Sequence, residues 1–220
     1  MAGRCNQGKG EMDVEQASDE MAAEESSVVT HEEEKSIANE EKGVMAVTAV
    51  VVAGLKLGAA AINSILNALG SVERKIVISF ANNTGHQLTA IGVYFFSGTA
   101  DNGLPGAIPD KFTLGFGARK TTGPVARGTA GVITYYLSAQ NRTAAIMWSV
   151  PFDYNLYSNW WNFELRNGRV SPSSSLFNEL YYTNSAIKGD SNFVSRVTNG
   201  RKFEGSMGHS GTPVLDITLH

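Results

Sequence analysis

The sequence predicts a mainly β protein, a β-sandwich flanked by an N-terminal amphipathic helix and a second short helix. Three observations carry that prediction. Eight short apolar segments, at 75–80, 88–96, 112–116, 131–137, 143–150, 162–165, 202–207 and 214–219, recur along the last two-thirds of the chain. They are separated by Asn-, Gly- and Pro-rich stretches at 82–85, 102–109, 123–124, 167–168 and 208–213, which is turn chemistry. Twenty-three glycines and only 18% charged residues favour a turn-rich β chain over a helical bundle, and many short strands with regular turns favour a sandwich.

With 220 residues and 42% hydrophobic content, the chain holds one domain with a sizeable core and an arm. It divides into an acidic tail or pro-segment (1–43), an amphipathic helix (44–70) and the sandwich (71–220). Residues 1–43 carry four Lys/Arg against twelve Asp/Glu, a net −8, while residues 44–220 carry fourteen against nine, a net +5. The near-neutral total of −3 therefore hides an acidic tail on a mildly basic body. The tail lacks aromatics and its Glu runs repel one another, so it reads as disordered. No apolar run of the signal-peptide kind opens the chain. Cys5 is the only cysteine, so no intrachain bridge reports the compartment. The body is too weakly basic to imply a nucleic-acid partner, and none is expected.

Composition changes abruptly at 44–69. Spacing residues 100° apart places Thr48, Lys56, Asn63 and Asn67 in one narrow sector of an otherwise apolar helix. Twenty-six residues at about 1.5 Å each reach roughly 39 Å, more than a hydrocarbon core of about 30 Å. Several copies span a membrane together only if their polar stripes line water. In a resting molecule the same segment docks on a soluble core. Arg74 and Lys75 follow at the helix end, where cations complement the dipole.

Residues 149–161, SVPFDYNLYSNWW, hold five aromatics broken by polar residues and Pro151, the pattern of a loop rather than a strand. Tyrosine and tryptophan on a surface loop suit a membrane interface or a quaternary ammonium group. Burial in the β-core is the competing fate, expected for Phe152 and Trp161. Pro172 and the serines after it open a short helix in which Phe177, Tyr181 and Tyr182 share a face. Four scattered histidines give no metal-ligand spacing, and no GxSxG or phosphate loop is present, so neither enzyme, metal nor cofactor is expected.

SVPFDYNLYSNWW, NELYY at 178–182, SGT at 97–99 and GPVA at 123–126, in that set of separations, resemble the actinoporins, pore-forming cytolysins of sea anemones. The resemblance covers about residues 44–220. It implies a secreted toxin, with the nematocyst as one destination, that acts on the target cell membrane without a cofactor. It implies partners among membrane lipids, sphingomyelin and phosphatidylcholine, and a homo-oligomer on the membrane from which the N-terminal helix inserts. It also implies that residues 1–43 are a removable pro-region. Carried over residue by residue, the phosphocholine site is Ser97, Ser149, Pro151, Tyr157, Phe177, Tyr181 and Tyr182, with Phe177 where tyrosine is usual. Leu156, Tyr157, Trp160 and Phe193 would meet the interface, Leu156 and Phe193 replacing usual tryptophans. Lys188, Gly189 and Asp190 stand where Arg-Gly-Asp is common and would serve self-association or lipid contact. Lys56 is the only charge in the pore helix, which argues against strong cation selectivity. The competing reading is a lectin-like sandwich that binds lipid or carbohydrate without making pores.

Overall fold

The computed structural model describes residues 47–122, 127–183 and 185–220. The tail, the first residues of the proposed helix and the GPVA motif lie outside the described residues. The architecture is two packed six-stranded sheets with one helix on each outer face. The strands are β1 (Ala49–Ala53), β2 (Lys75–Asn82), β3 (Leu88–Ser97), β4 (Ala107–Ile108), β5 (Phe112–Arg119), β6 (Thr129–Leu137), β7 (Arg142–Val150), β8 (Trp160–Asn167), β9 (Ile187–Lys188), β10 (Val194–Thr198), β11 (Arg201–Met207) and β12 (Val214–Leu219). The helices are α1 (Ala59–Ala68) and α2 (Ser174–Tyr182). One sheet runs β1-β5-β2-β12-β11-β10 and the other β4-β3-β6-β7-β8-β9. Only β2 and β12 pair in parallel among these neighbours.

Strand alternation explains where each helix sits. In β2, Ile76, Ile78 and Phe80 point into the core between the sheets, while Val77 points outward to meet Leu57, Ile65 of α1 and Leu69 at the C-cap of α1. In β6 and β7, Ile133, Ile146 and Trp148 face inward, while Val132, Ala145 and Met147 face outward against Leu176, Phe177 and Leu180 of α2. Strands covered on both faces read as continuous apolar runs, which is why these segments stood out in the sequence.

The expected sandwich is present, and the helix over 44–69 requires correction. Within it, residues 49–53 form the edge strand β1, paired with β5 from Ala49 opposite Phe116 to Ala53 opposite Phe112. Three consecutive β-branched residues, Val50, Val51 and Val52, favour an extended chain, and the open side of β5 supplies their backbone partners. Gly54 then adopts φ +99°, a left-handed turn that no helix contains, and Gly58 is extended at φ −68°, ψ 155°. Thr48 is consequently buried and Lys56 sits exposed in the connection; neither lies on a helix face. Asn63 and Asn67 are exposed on α1 as expected. The ten residues of α1 reach about 15 Å, and among the described residues no helix is long and apolar enough to cross a membrane. At its C-terminus, Lys75 Nζ donates to the carbonyls of Leu66 at 2.9 Å and Gly70 at 2.7 Å.

Other differences are smaller. The sequence pattern missed β1, the two-residue bridges β4 and β9, and the exposed edge strand β10. Trp160, expected on the aromatic loop, opens β8 opposite Ser149 and is half-buried. The loop itself is therefore 151–159.

Candidate functional site

An irregularity in β3 begins the site. Phe95 pairs with Gly131 and Ser97 with Ala130, so Phe96 is the extra residue of a bulge and is thrown outward. On the neighbouring strands, β7 ends at Ser149 and Val150 and runs into Pro151, while α2 lies across β6 and β7. α2 is fixed at both ends: the Ser173 hydroxyl accepts the Leu176 N–H at 3.2 Å, and Asn162 Nδ2 donates to the Leu180 carbonyl at 3.0 Å. Arg166 adds a two-pronged bond to Glu179, at 2.8 and 3.0 Å, whose first effect is to hold that carboxyl below its ordinary range.

These elements enclose an open recess of about 450 Å³. Ser97, Ser149, Pro151, Tyr157, Phe177, Tyr181 and Tyr182 all line it, together with Phe96, Arg127, Gly128, Phe152 and Asp153. The rings form a ladder. Phe96 stacks on Phe177 at 4.8 Å with 12° between planes, Phe177 stacks on Tyr181 at 5.6 Å and 17°, and Tyr182 meets Tyr181 edge-on at 4.9 Å. Phe177 is buried in the middle of this stack and serves as its floor; Tyr157 and Tyr182 are exposed at the rim.

Polar atoms in the recess are partly engaged. Ser97 Oγ donates to the Gly128 carbonyl at 2.9 Å. The Tyr181 hydroxyl is shifted upward by burial, opposed by a hydrogen bond from Ser149 and reinforced by the Tyr182 and Tyr157 phenols. Hydroxyls and ring faces thus converge in one cavity of ligand size.

Against that geometry stand the comparisons with known proteins. The family described as sea anemone cytotoxic protein matches residues 46–220. The chain belongs to that family. It is 42% identical over 181 residues to Nigrelysin of Anthopleura nigrescens, covering 82% of this chain and 84% of that protein. It is 39% identical over 179 residues to Cytolysin tenebrosin-B of Actinia tenebrosa, covering 81% and 83% respectively. Among solved structures, the lipid binding protein Nakanori shares the fold at a TM-score of 0.58 and 21% identity, covering 70% of this chain and 74% of that one. By its membership the chain is a pore-forming cytolysin, from a family of secreted cytolytic toxins rather than of enzymes.

The cytolysin's loop is anchored from below and free at its tip. Arg74 donates from Nε and Nη2 to the Phe152 carbonyl at 3.0 and 2.8 Å and lies over the rings of Phe152 and Tyr154. Arg74 therefore does not cap α1, as the sequence suggested; Lys75 alone does. Phe152 is half-buried instead of lost in the core, whereas Trp161 is fully buried. Asn159 Nδ2 donates to the carbonyls of Gly208 at 2.8 Å and Ser210 at 3.0 Å, and Tyr154 Oη lies 2.8 Å from both Asn159 Oδ1 and the Ser210 carbonyl. Between these anchors, Leu156 and Tyr157 project at 73% and 59% exposure. Phe193 is exposed to 70% but does not line the recess.

Lys188, Gly189 and Asp190 border a smaller depression of about 350 Å³ that shares Tyr157 with the recess. The Gly189 N–H donates to the Asn159 carbonyl at 2.8 Å, so this tripeptide also braces the loop. Sequence reasoning missed Phe96, Arg127 and Asp153. Phe96 was hidden by its place in an apolar strand, because a bulge leaves no pattern in periodicity. Arg127 follows directly on the GPVA motif, and that adjacency was the available signal.

Proposed function

We propose that this pore-forming cytolysin binds phosphocholine head groups, sphingomyelin foremost, in the recess, self-associates on the membrane and then inserts residues 44–69. The observation that carries this reading is convergence: seven residues scattered from Ser97 to Tyr182 line one ring-walled recess. Tyrosine faces hold a trimethylammonium group, and the hydroxyls supply donors for its phosphate. Leu156 and Tyr157 at the loop tip, with Phe193 and the rim of Trp160, would enter the interface.

Insertion needs a change of conformation. β1 must leave β5 and join α1 in one helix, because only the combined segment, at roughly 39 Å, exceeds the hydrocarbon thickness. In that form Thr48, Lys56, Asn63 and Asn67 fall on one stripe facing water, with Lys56 disfavouring strong cation selectivity. Lys188, Gly189 and Asp190 are proposed to contact lipid or a second copy, and removal of residues 1–43, with storage in a nematocyst before release, is part of the same reading. Dye release from sphingomyelin vesicles tests it, with the chain both intact and cleaved near residue 43. Leakage that depends on sphingomyelin is expected; vesicle binding without leakage from either form would leave a lipid-binding sandwich that makes no pore.

A further inference from the structure

We propose that Arg127 is the phosphate-binding residue of the recess, resting on the head-group reading above and assigning its anionic half to one side chain. Among the described residues, two charged residues line the recess, Arg127 and Asp153. Asp153 is occupied within the loop: its Oδ1 accepts the Asn155 N–H at 2.8 Å and its carbonyl accepts the Tyr157 N–H at 3.1 Å. Arg127 forms no hydrogen bond or ion pair among the described residues, and it is exposed where it lines the recess.

The neutral serine donors of the recess are poorly placed to serve a phosphate. The Ser97 proton is directed to the Gly128 carbonyl, and Ser149 sits beside the Tyr181 hydroxyl, whose shift it opposes. Phe177, in the centre of the ring stack, has no hydroxyl. What remains is the phenols of Tyr157, Tyr181 and Tyr182, and the guanidinium, which brings a full charge and a fork of donors matched to phosphate oxygens.

The backbone beneath Arg127 is also fixed against the loop. A Cβ on Gly128 would lie 1.8 Å from the Val150 carbonyl oxygen and 2.8 Å from the Pro151 carbonyl carbon. Only glycine permits that approach, so residue 127 is held at the edge of the recess where β7 gives way to the loop. The rings then take the choline and Arg127 takes the phosphate. Recognition becomes dependent on salt, because one of its two contacts is an exposed charge pair.

The test is competition for sphingomyelin vesicles by free phosphocholine and by free choline, using the full chain and the variants Arg127→Gln, Arg127→Lys and Tyr181→Ala. Loss of a charge-assisted contact predicts that Arg127→Gln weakens phosphocholine competition about tenfold, with choline competition unchanged and the salt dependence flattened. Arg127→Lys, which keeps the charge without the fork, should fall between. Thermal unfolding at the parental temperature checks that the variants fold, as an exposed position requires. Parental phosphocholine competition by Arg127→Gln, with binding lost in Tyr181→Ala, would overturn the assignment and leave the head-group reading standing. Parental behaviour of both variants would overturn the two together.

Discussion

The recess and the N-terminal arm are held by opposite kinds of construction. Around the recess, three strands of one sheet and both ends of α2 fix the rings, and Arg74 and Asn159 tie the loop to neighbouring backbone. The arm is a single edge strand bonded to β5 alone, followed by a helix without a side-chain N-cap. It is retained chiefly by Leu57, Ile65 and Leu69, each worth about 2 kcal/mol of burial. A binding site gains from being preformed, since little ordering remains to oppose association. On the proposed reading the arm leaves the fold, and segments that move are drawn from its least stable parts.

Locking the arm should give the largest effect. Val52 and Thr113 are directly opposed in β1 and β5. With Cys5 replaced by serine, an oxidised Val52→Cys/Thr113→Cys pair should bind vesicles like the parent yet leak dye at least tenfold more slowly, with reductant restoring the rate. Equal leakage in both redox states would show that β1 need not unpair. Next, Tyr157→Ala and Tyr181→Ala should each weaken sphingomyelin-vesicle binding about tenfold, the loss of a ring face that holds a cation. Unchanged affinity in both would place recognition elsewhere.

Ile65→Ala should cost about 2–4 kcal/mol of docking, read as faster hydrogen exchange over residues 59–69 with the amides of β6 and β7 little changed. Uniform acceleration throughout would mean that the arm is not a separate unit. Phe177→Tyr should have the smallest effect, a less than threefold gain in phosphocholine affinity, since the ring lies buried between Phe96 and Tyr181. A large gain, measured by titration, would show that this position faces the ligand.

The sandwich was legible because strands with both faces covered leave apolar runs between turn residues, a local signal. β10 escaped detection because its residues are mostly exposed and Val197 among them is bare to solvent. Helical periodicity over 44–69 was legible too, but the chain forms β1 and the shorter α1 within that stretch. Periodicity reports which side chains share a face if the chain is helical; it does not report that β5 offers an unpaired edge to Val50, Val51 and Val52.

By itself the sequence determined the fold class and, through four spaced motifs, the family, whose resemblance supplied seven of the residues that line the recess. Tertiary structure alone decided that residues 49–53 are strand, that a bulge brings Phe96 into the ring stack, that Phe177 is its buried floor, and that Arg127 stands at the recess. Chemistry and periodicity are properties of a residue and its near neighbours, whereas an edge, a bulge or a recess exists only between segments distant in the chain.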